Sequence, residues 1–498
     1  MHFYSKRFTL LASALLAVFI LSGCGGAEER KAKYLERGKA YFEEENYEKA
    51  AIEFKNVLQI DKKTAEPRYY LGQIAEKNQD WRKAFNNYSI AVDENPDFVA
   101  ARISLGRFLV LAGEIEKAGE QADESLSREP ENTDALTLQA SIRMRQDKQA
   151  EAVSILQQVL AQNPGHANAA ALLAALYEQQ DQQADALHVL ETAVAGNPES
   201  ATLQIRLAQM YLKQEQAAKA VAIIEGLIRD YPEKLPYRTM LATYYAQTGQ
   251  KDAAEDILRE SIAADPEDAQ RYLLLADFLK NNYGLEKAIA ELETSSAKMP
   301  DMTTLKFALS QLYFESEQTE KAEAVYQGVI NEHGLEPDGL TARTAIASLR
   351  VQQGETGAAR SLLDEVLTEN PKDIKALLLR GRIELQEQQF AEAIVSFRSV
   401  LKDQPDSVEI LTLLAAAHQA TGQNELALEN LSRAVDAQPQ SVDARIRLAQ
   451  FQANSGDLDS ALVQVNAALE VEPSNVMALK AKAELLAKLG QAEELETV

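Results

Sequence analysis

The chain reads as an all-α solenoid: about thirteen helix hairpins stacked one on the next, followed by a C-terminal capping helix. Two combs of residues point to it. Alanine recurs at Ala50, Ala84, Ala118, Ala152, Ala186, Ala220, Ala254, Ala288, Ala322, Ala359, Ala393, Ala427 and Ala461, every 34 residues except for one step of 37 after Ala322. Proline follows twelve residues behind, from Pro96, Pro130 and Pro164 through Pro300 to Pro473, except that Pro337 lies fifteen behind Ala322 and the first unit has Lys62 in this place. Of the fourteen prolines, Pro67 and Pro236 alone stand off this comb. A fixed period of this length means repeated units, none of which can bury its apolar face without a neighbour.

Proline inside a helix costs about 3 kcal/mol, so the comb marks boundaries between helices. Between boundaries, apolar and small residues fall three and four apart. Tyr69, Leu71, Gly72 and Ala75 do so in one stretch, and Ala84, Phe85, Tyr88, Ala91 and Val92 in the next. That is the stripe of an amphipathic helix. Polar breakers such as Asn78-Gln79-Asp80, or Gly113, Gly249, Gly354, Gly422 and Gly456, separate the two helices of each unit. Heptads are absent, which excludes a long coiled coil. Twenty-four residues ahead of the prolines sits a small residue, among them Gly72, Gly106, Ala140, Ala208, Gly381 and Ala449, with Ser310 in the matching place of the 37-residue unit. These are expected to face the alanine column across the hairpin and let its helices approach closely.

The order leucine, small residue, tyrosine three later (Tyr41, Tyr177, Tyr211, Tyr245, Tyr313), alanine, proline resembles the tetratricopeptide repeat, a 34-residue helix pair. The resemblance covers residues 31–475 and implies a right-handed superhelix whose first helices line a concave, protein-binding groove. The 37-residue unit suggests a division into repeats 1–9 (31–339) and 10–13 (340–475). The three added residues are expected as a surface loop around Asn331 to Leu335. Residues 476–498 are expected to form one capping helix.

At the N-terminus Lys6 and Arg7 precede an apolar run from Phe8 to Leu21, ending in Leu21-Ser22-Gly23-Cys24. A basic start and a short apolar run make a secretory signal over 1–23, too short to span a bilayer. Leu-Ser-Gly-Cys resembles the bacterial lipobox, which implies cleavage before Cys24 and acylation of that cysteine. Cys24 is the single cysteine of the chain. Gly25 after it implies sorting to the outer membrane, on the periplasmic side of the envelope. Residues 24–30 are expected as a short extended tether to the first repeat.

The formal charge is −25. Such a balance excludes nucleic acid, and no basic stripe with interleaved aromatics appears. The candidate groove positions are Tyr69 and Gln73, Ile103 and Arg107, Ile205 and Gln209, Phe307 and Gln311, and Leu378 and Arg382, each pair one helical turn apart on the inner face. No unit pairs lysine with asparagine there, so the carboxylate clamp of chaperone-tail binders in the resembled family is unsupported. The mixture of aliphatic, amide and arginine side chains suits an amphipathic helix or an extended segment.

The histidines make no metal-ligand spacing, and no phosphate loop or nucleophile elbow occurs, so neither catalysis, metal nor cofactor is expected. The expected function is a non-catalytic, membrane-anchored scaffold that binds other envelope proteins. Long arrays of this kind resemble scaffolds of exopolysaccharide export. The opening Tyr34-Leu35-Glu36-Arg37-Gly38-Lys39-Ala40-Tyr41 also resembles lipoproteins of exosortase (PEP-CTERM) sorting. The alternatives are an assembly factor for pili or outer-membrane proteins, or a trough that binds polysaccharide directly; the sparse groove aromatics weigh against the trough. The lipid expectation has a direct check. Intact-mass analysis of the membrane fraction should show a mature chain beginning at Cys24 with added acyl mass, and Cys24→Ser should yield an unacylated product.

Overall fold

A computed structural model describes residues 26–495; the leader, Cys24 and Gly25 lie outside the described residues. The described chain is helical and divides into two compact units, up to Leu241 and from Ala242 onward. In the first unit the hairpins are α1 (26–43) with α2 (Tyr47–Ile60), α3 (Ala65–Lys77) with α4 (Trp81–Glu94), and α5 (Val99–Leu111) with α6 (Ile115–Arg128). Then come α7 (Thr133–Arg145) with α8 (Gln149–Gln162), α9 (Ala167–Gln179) with α10 (Gln183–Gly196), and α11 (Ala201–Lys213) with α12 (Ala217–Asp230). The boundary between the units falls within α13 (Leu235–Gln247).

The second unit continues with α14 (Lys251–Ala264), α15 (Ala269–Tyr283) and α16 (Leu285–Lys298), then α17 (Thr303–Glu315) and α18 (Thr319–His333). Next are α19 (Pro337–Gln352) with α20 (Thr356–Glu369), and α21 (Ile374–Gln386) with α22 (Phe390–Asp403). It ends with α23 (Val408–Ala420), α24 (Asn424–Ala437), α25 (Val442–Asn454), α26 (Leu458–Val471), α27 (Val476–Leu489) and α28 (Ala492–Leu495).

The turn inside every described hairpin except α15–α16, where Gly284 alone joins the helices, is the same piece of chemistry. After α3, the Gln79 N–H donates to Glu76 O (3.0 Å) and the Asp80 N–H to Ala75 O (2.8 Å). This is a Schellman closure, with Gln79 at φ 58° in the left-handed region. Asp80 then caps the next helix, its carboxylate accepting from Lys83 N at 3.1 Å. Trp81 is therefore the first residue of α4 rather than part of the turn. The longer turn between units is satisfied differently. The proline carbonyl accepts from the side chain six residues on: Arg102 to Pro96 (2.6 Å), Gln204 to Pro198 (2.5 Å), Tyr272 to Pro266 (3.1 Å) and Arg445 to Pro439 (2.8 Å).

All thirteen alanines of the comb are fully buried, at 0 % exposure. The small-residue column shares its cores with these alanines, Ala140 with Ala152, Ala276 with Ala288 and Ala449 with Ala461. Its closest contact, however, is the bulky residue one turn beyond the alanine, sixteen positions later. A methyl group on Gly38, Gly72 or Gly381 would lie 2.6 Å from the ring of Phe54, Tyr88 or Phe397 respectively. Where the column holds alanine the partner is smaller: Ala140 shares a core with Leu156, Ala276 with Leu292, and Ala449 with Val465. Glycine thus goes with an aromatic ring and alanine with an aliphatic chain, which keeps the volume between the two helices constant. Gly106 is the exception. It lies opposite Ala122, and Leu138 from the next unit fills the space, 2.5 Å from where a methyl would stand.

Three expectations about boundaries are corrected. Residues 26–30 are not an extended tether but the first turn and more of α1, held by Arg30 Nε donating to Gly26 O (3.0 Å) and by a Lys31–Glu28 ion pair (2.8 Å). Acidic Glu28 and Glu29 suit the positive end of the helix dipole there. The three extra residues near His333 are not mainly a loop. They lengthen α19 to 16 residues, and Gly334 and Gly339 let the chain pack on itself, since a methyl at Gly339 would lie 2.1 Å from Gly334 O. One apolar core runs through this point, from Ala242 through Val329 to Leu349. Finally, residues 476–495 are two helices, because Gly490 at φ 74° turns the chain in the same way as the turn inside a hairpin. Helix α27 thus holds the register of a first helix of one more unit.

Within the first unit the stack curls back on itself. Lys234, just before α13, pairs with Glu45 in the α1–α2 turn at 2.8 Å, although 189 residues separate them. The ammonium holds the Glu45 carboxyl below its usual range.

The tyrosine position of the repeat bonds back to the preceding hairpin: Tyr211 Oη donates to Glu191 Oε1 (2.6 Å), and Tyr313 donates likewise to Glu293. Late in the chain this position is occupied by Arg350, Glu384, His418 and Gln452. His418 is buried, its Nδ1 2.6 Å from Gln423 Oε1, and burial together with Arg398 pushes its pKa below 6.5.

Two outcomes are expected. Gly381→Ala should destabilise by roughly 1–3 kcal/mol through overpacking against Phe397, less what it gains in helix propensity. In a Phe397→Leu background the same change should become stabilising; denaturant melts of the four chains measure the coupling. For His418, the folded chain favours the neutral ring. Its contribution to stability is therefore whole above pH 6.5 and lost as the pH falls through the lower folded value. Hydrogen exchange in α23 and α24 should accelerate between about pH 7 and about pH 5, once corrected for intrinsic rates, and more in the native chain than in His418→Leu.

Candidate protein-binding groove

The first helices α3, α5 and α7 are separated in sequence by one second helix and its two flanking turns, and they line up side by side in the stack. Residues three and four apart on each helix therefore form one continuous stripe. Between successive first helices the stripe is dented by recesses. The recess on α3, α5 and α7 has a volume of about 420 Å³ and is lined by Tyr69, Gln73, Ile103, Ser104, Arg107 and Asp134, among others. Four of the expected groove residues are thus brought into one site.

Its geometry is polar at the rim and aromatic at the base. Gln73 Nε2 donates to Tyr69 Oη (3.0 Å), while its buried Oε1 has no hydrogen-bond partner. Arg107 is exposed; its Nη2 donates to Ser104 Oγ (3.3 Å) and stands 4.0 Å from Glu76. Asp134 lies 3.2 Å from His166 Nε2, and that hydrogen bond outweighs burial and holds its carboxyl below the usual range, with Arg107 adding to the effect. The Tyr69 ring is packed by Phe98 (5.1 Å), Tyr70 (5.6 Å) and Tyr88 (5.9 Å). Burial pushes the Tyr69 hydroxyl above its usual pKa, so it stays protonated at neutral pH.

Other recesses repeat the plan. Gln209 lines one of about 260 Å³ with Ala171, Ala175, Glu178 and Lys213, while Ile205 sits half-buried outside it. Leu378 and Arg382 line one of about 270 Å³ with Thr344, Ser348 and Lys375. Phe307 turns instead into the core, 5.9 Å from the Tyr326 ring, and Gln311 stays exposed, its Nε2 donating to Glu315 (3.5 Å).

One feature was missed by looking for lysine–asparagine pairs. The cation at the downstream position of one first helix meets an acid at the start of the next: Lys39 with Glu66, and Arg382 with Glu409. Asp134 holds the corresponding place beyond Arg107. The signal lay in the sequence three residues ahead of each upstream groove position, on the same stripe. These pairs join adjacent units, so Arg382 already has its counter-charge.

Tetratricopeptide-repeat models match residues 75–142, 350–417 and 420–485, and a second such model matches 34–64 and 235–268. The chain belongs to the tetratricopeptide-repeat family. A model of the C-terminal ARM domain of tetratricopeptide repeat protein 21 also matches residues 120–239. Comparison with curated proteins finds no match. Among solved structures, that of Naa15/Naa10 bound to HypK-THB is similar over 93 % of this chain and 97 % of the other, at 14 % identity and a TM-score of 0.50. PilF of Pseudomonas aeruginosa matches 44 % of this chain and 99 % of its own, at 20 % identity and a TM-score of 0.33. The family and the recesses make the chain a protein-binding scaffold.

The acid–base rungs between first helices should be individually weak, since exposed pairs contribute about 0–1 kcal/mol. Glu409→Gln should lower stability by no more than that, while freeing Arg382. An acidic peptide library should then label the α21–α23 region more strongly than in the native chain; equal labelling would show that Arg382 is not limited by Glu409.

Proposed function

We propose that the chain is a lipid-tethered scaffold of the bacterial envelope, held to the outer membrane through Cys24 and gathering other envelope proteins along its first-helix stripe. The observation that carries the reading is the recess of Tyr69, Gln73, Ile103 and Arg107. It offers an aliphatic wall and an accessible guanidinium on α5 beside the Gln73 side chain of α3, within one recess. A bound segment supplies an apolar side chain to Ile103 and an acidic group to Arg107. Among the described residues no helix is long and apolar enough to cross a membrane, so attachment in this reading falls to the N-terminal segment.

Assembly of an export or sorting complex, of the exopolysaccharide or exosortase type, is the pathway this reading favours, on the resemblance of the opening repeat. A polysaccharide trough is disfavoured because sugar stacking needs open aromatic faces. Tyr69 is hemmed in by three rings and Phe307 packs on Tyr326.

The test is in-cell photocrosslinking from position 73 followed by mass spectrometry. One or a few envelope proteins should be captured, and Arg107→Glu should reduce capture roughly 5- to 30-fold, the weight of a single interface anchor. Far-UV circular dichroism should be unchanged. Capture that is indifferent to Arg107 would remove this recess from the binding surface.

A further inference from the structure

At the turn end of the second and third hairpins, three large apolar side chains stand in solvent. Trp81 is 57 % exposed, Leu111 74 % and Phe85 36 %. They form one patch. Phe85 lies one turn along α4 from Trp81, the Trp81 ring meets Phe108 of α5 at 6.4 Å, and Leu111 lies one turn on from Phe108. The patch is rooted in the core, because Phe108 packs on Tyr88 (5.8 Å), which is fully buried.

Charge around it is mixed: Glu43, Glu44 and Glu45 at the neighbouring α1–α2 turn and Glu114 and Glu116 beyond Leu111 are exposed acids. Residues 24–94 hold 14 acidic and 13 basic side chains, so almost the whole acidic excess lies beyond them. Lys77, Arg82 and Lys83 surround Trp81 and are all exposed. Asp80 pairs with Lys83 at 2.5 Å, and on the Leu111 side Glu114 pairs with Lys117 at 3.0 Å.

We propose that this edge is a membrane-docking surface that rests on an anionic lipid bilayer, with Trp81 and Leu111 in the headgroup region and Lys77 and Arg82 facing lipid phosphates. An indole at the boundary between apolar and polar layers is at home there, and each basic residue adds attraction to an anionic surface. The proposal rests on the envelope tether for its occupant. It then fixes something a tether alone leaves free. Helix α1 begins two residues after Cys24 in the sequence and runs 18 residues, about 27 Å, towards the end of the hairpins where Trp81 lies. Contact at both points lays the first helices along the membrane surface instead of letting the arm swing from one end.

Trp81 is the sole tryptophan of the chain, so intrinsic fluorescence reports this edge alone. The full chain is mixed with vesicles of phosphatidylglycerol and phosphatidylethanolamine, and separately with phosphatidylcholine vesicles, and Trp81 emission and its quenching by bilayer-resident brominated lipid are recorded. A blue shift with quenching on the anionic vesicles is expected. The bound fraction should fall roughly five-fold for each charge removed by Lys77→Gln or Arg82→Gln, provided the Cys24→Ser chain is used without residues 1–23, so that neither lipid nor leader contributes. Chain that pellets with vesicles while Trp81 emission stays as in solution overturns the docking surface and leaves the tether standing. A shift that persists in Cys24→Ser, with no acylation in the native chain, retains the docking surface while the tether fails. A blue shift without lipid, together with dimer in sedimentation, assigns the patch to a second copy and overturns the proposal.

Discussion

Everything in this molecule depends on one constraint: a two-helix unit of 34 residues has an apolar side that only the next unit covers. The alanine comb shows the closeness this demands, with thirteen side chains each without solvent contact. The glycine-to-ring and alanine-to-aliphatic pairing shows how the space is kept constant while the residues change. Gly72 under Tyr88 and Ala140 with Leu156 are two solutions to the same volume. Because the constraint is local, units can be added without limit, and stability is a sum of neighbour terms. It also explains why a binding surface results: the first helices are held side by side at fixed spacing, so their outward stripes line up whatever those stripes carry.

The fold was legible because its constraint is periodic. Alanine and proline at a fixed interval located the hairpins and the turns between them. What was not legible depended on contacts between different registers. The small column was expected to face the alanines, and it shares cores with them, but its closest contact is the bulky residue one turn beyond. Which column a helix face meets depends on the rotation of the two helices, and periodicity alone does not give it. The covariation of Gly72, Gly381 and Ala140 with Tyr88, Phe397 and Leu156 was present in the text and would have settled it. The extension of α1 to residue 26 was hidden by two glycines, which read as a linker but are overridden by Glu28, Glu29 and Arg30 in a first turn.

The candidate groove was legible in part for the same reason. Tyr69, Gln73, Ile103 and Arg107 share one recess because they sit on neighbouring copies of a single stripe. Phe307 sits at an equivalent place but is drawn into the core by Tyr326, so equivalent registers do not guarantee equivalent exposure. The ladder of acid–base pairs between units, Lys39 with Glu66 and Arg382 with Glu409, divides the groove's charges into those that serve the stack and those left for a partner. Arg107, with Glu76 at the limit of an ion pair, is of the second kind.

The most direct test of neighbour dependence is hydrogen exchange, read by mass spectrometry, on a chain with Ala152→Leu. Ala152 is fully buried inside α8, and a larger side chain there forces that hairpin apart. Protection should be lost in α7 and α8 and weakened in the flanking hairpins α5–α6 and α9–α10, while α1–α2 and the helices beyond Ala242 keep theirs. Uniform loss along the whole chain, or loss that stops at α8 and leaves both flanks untouched, would contradict the account.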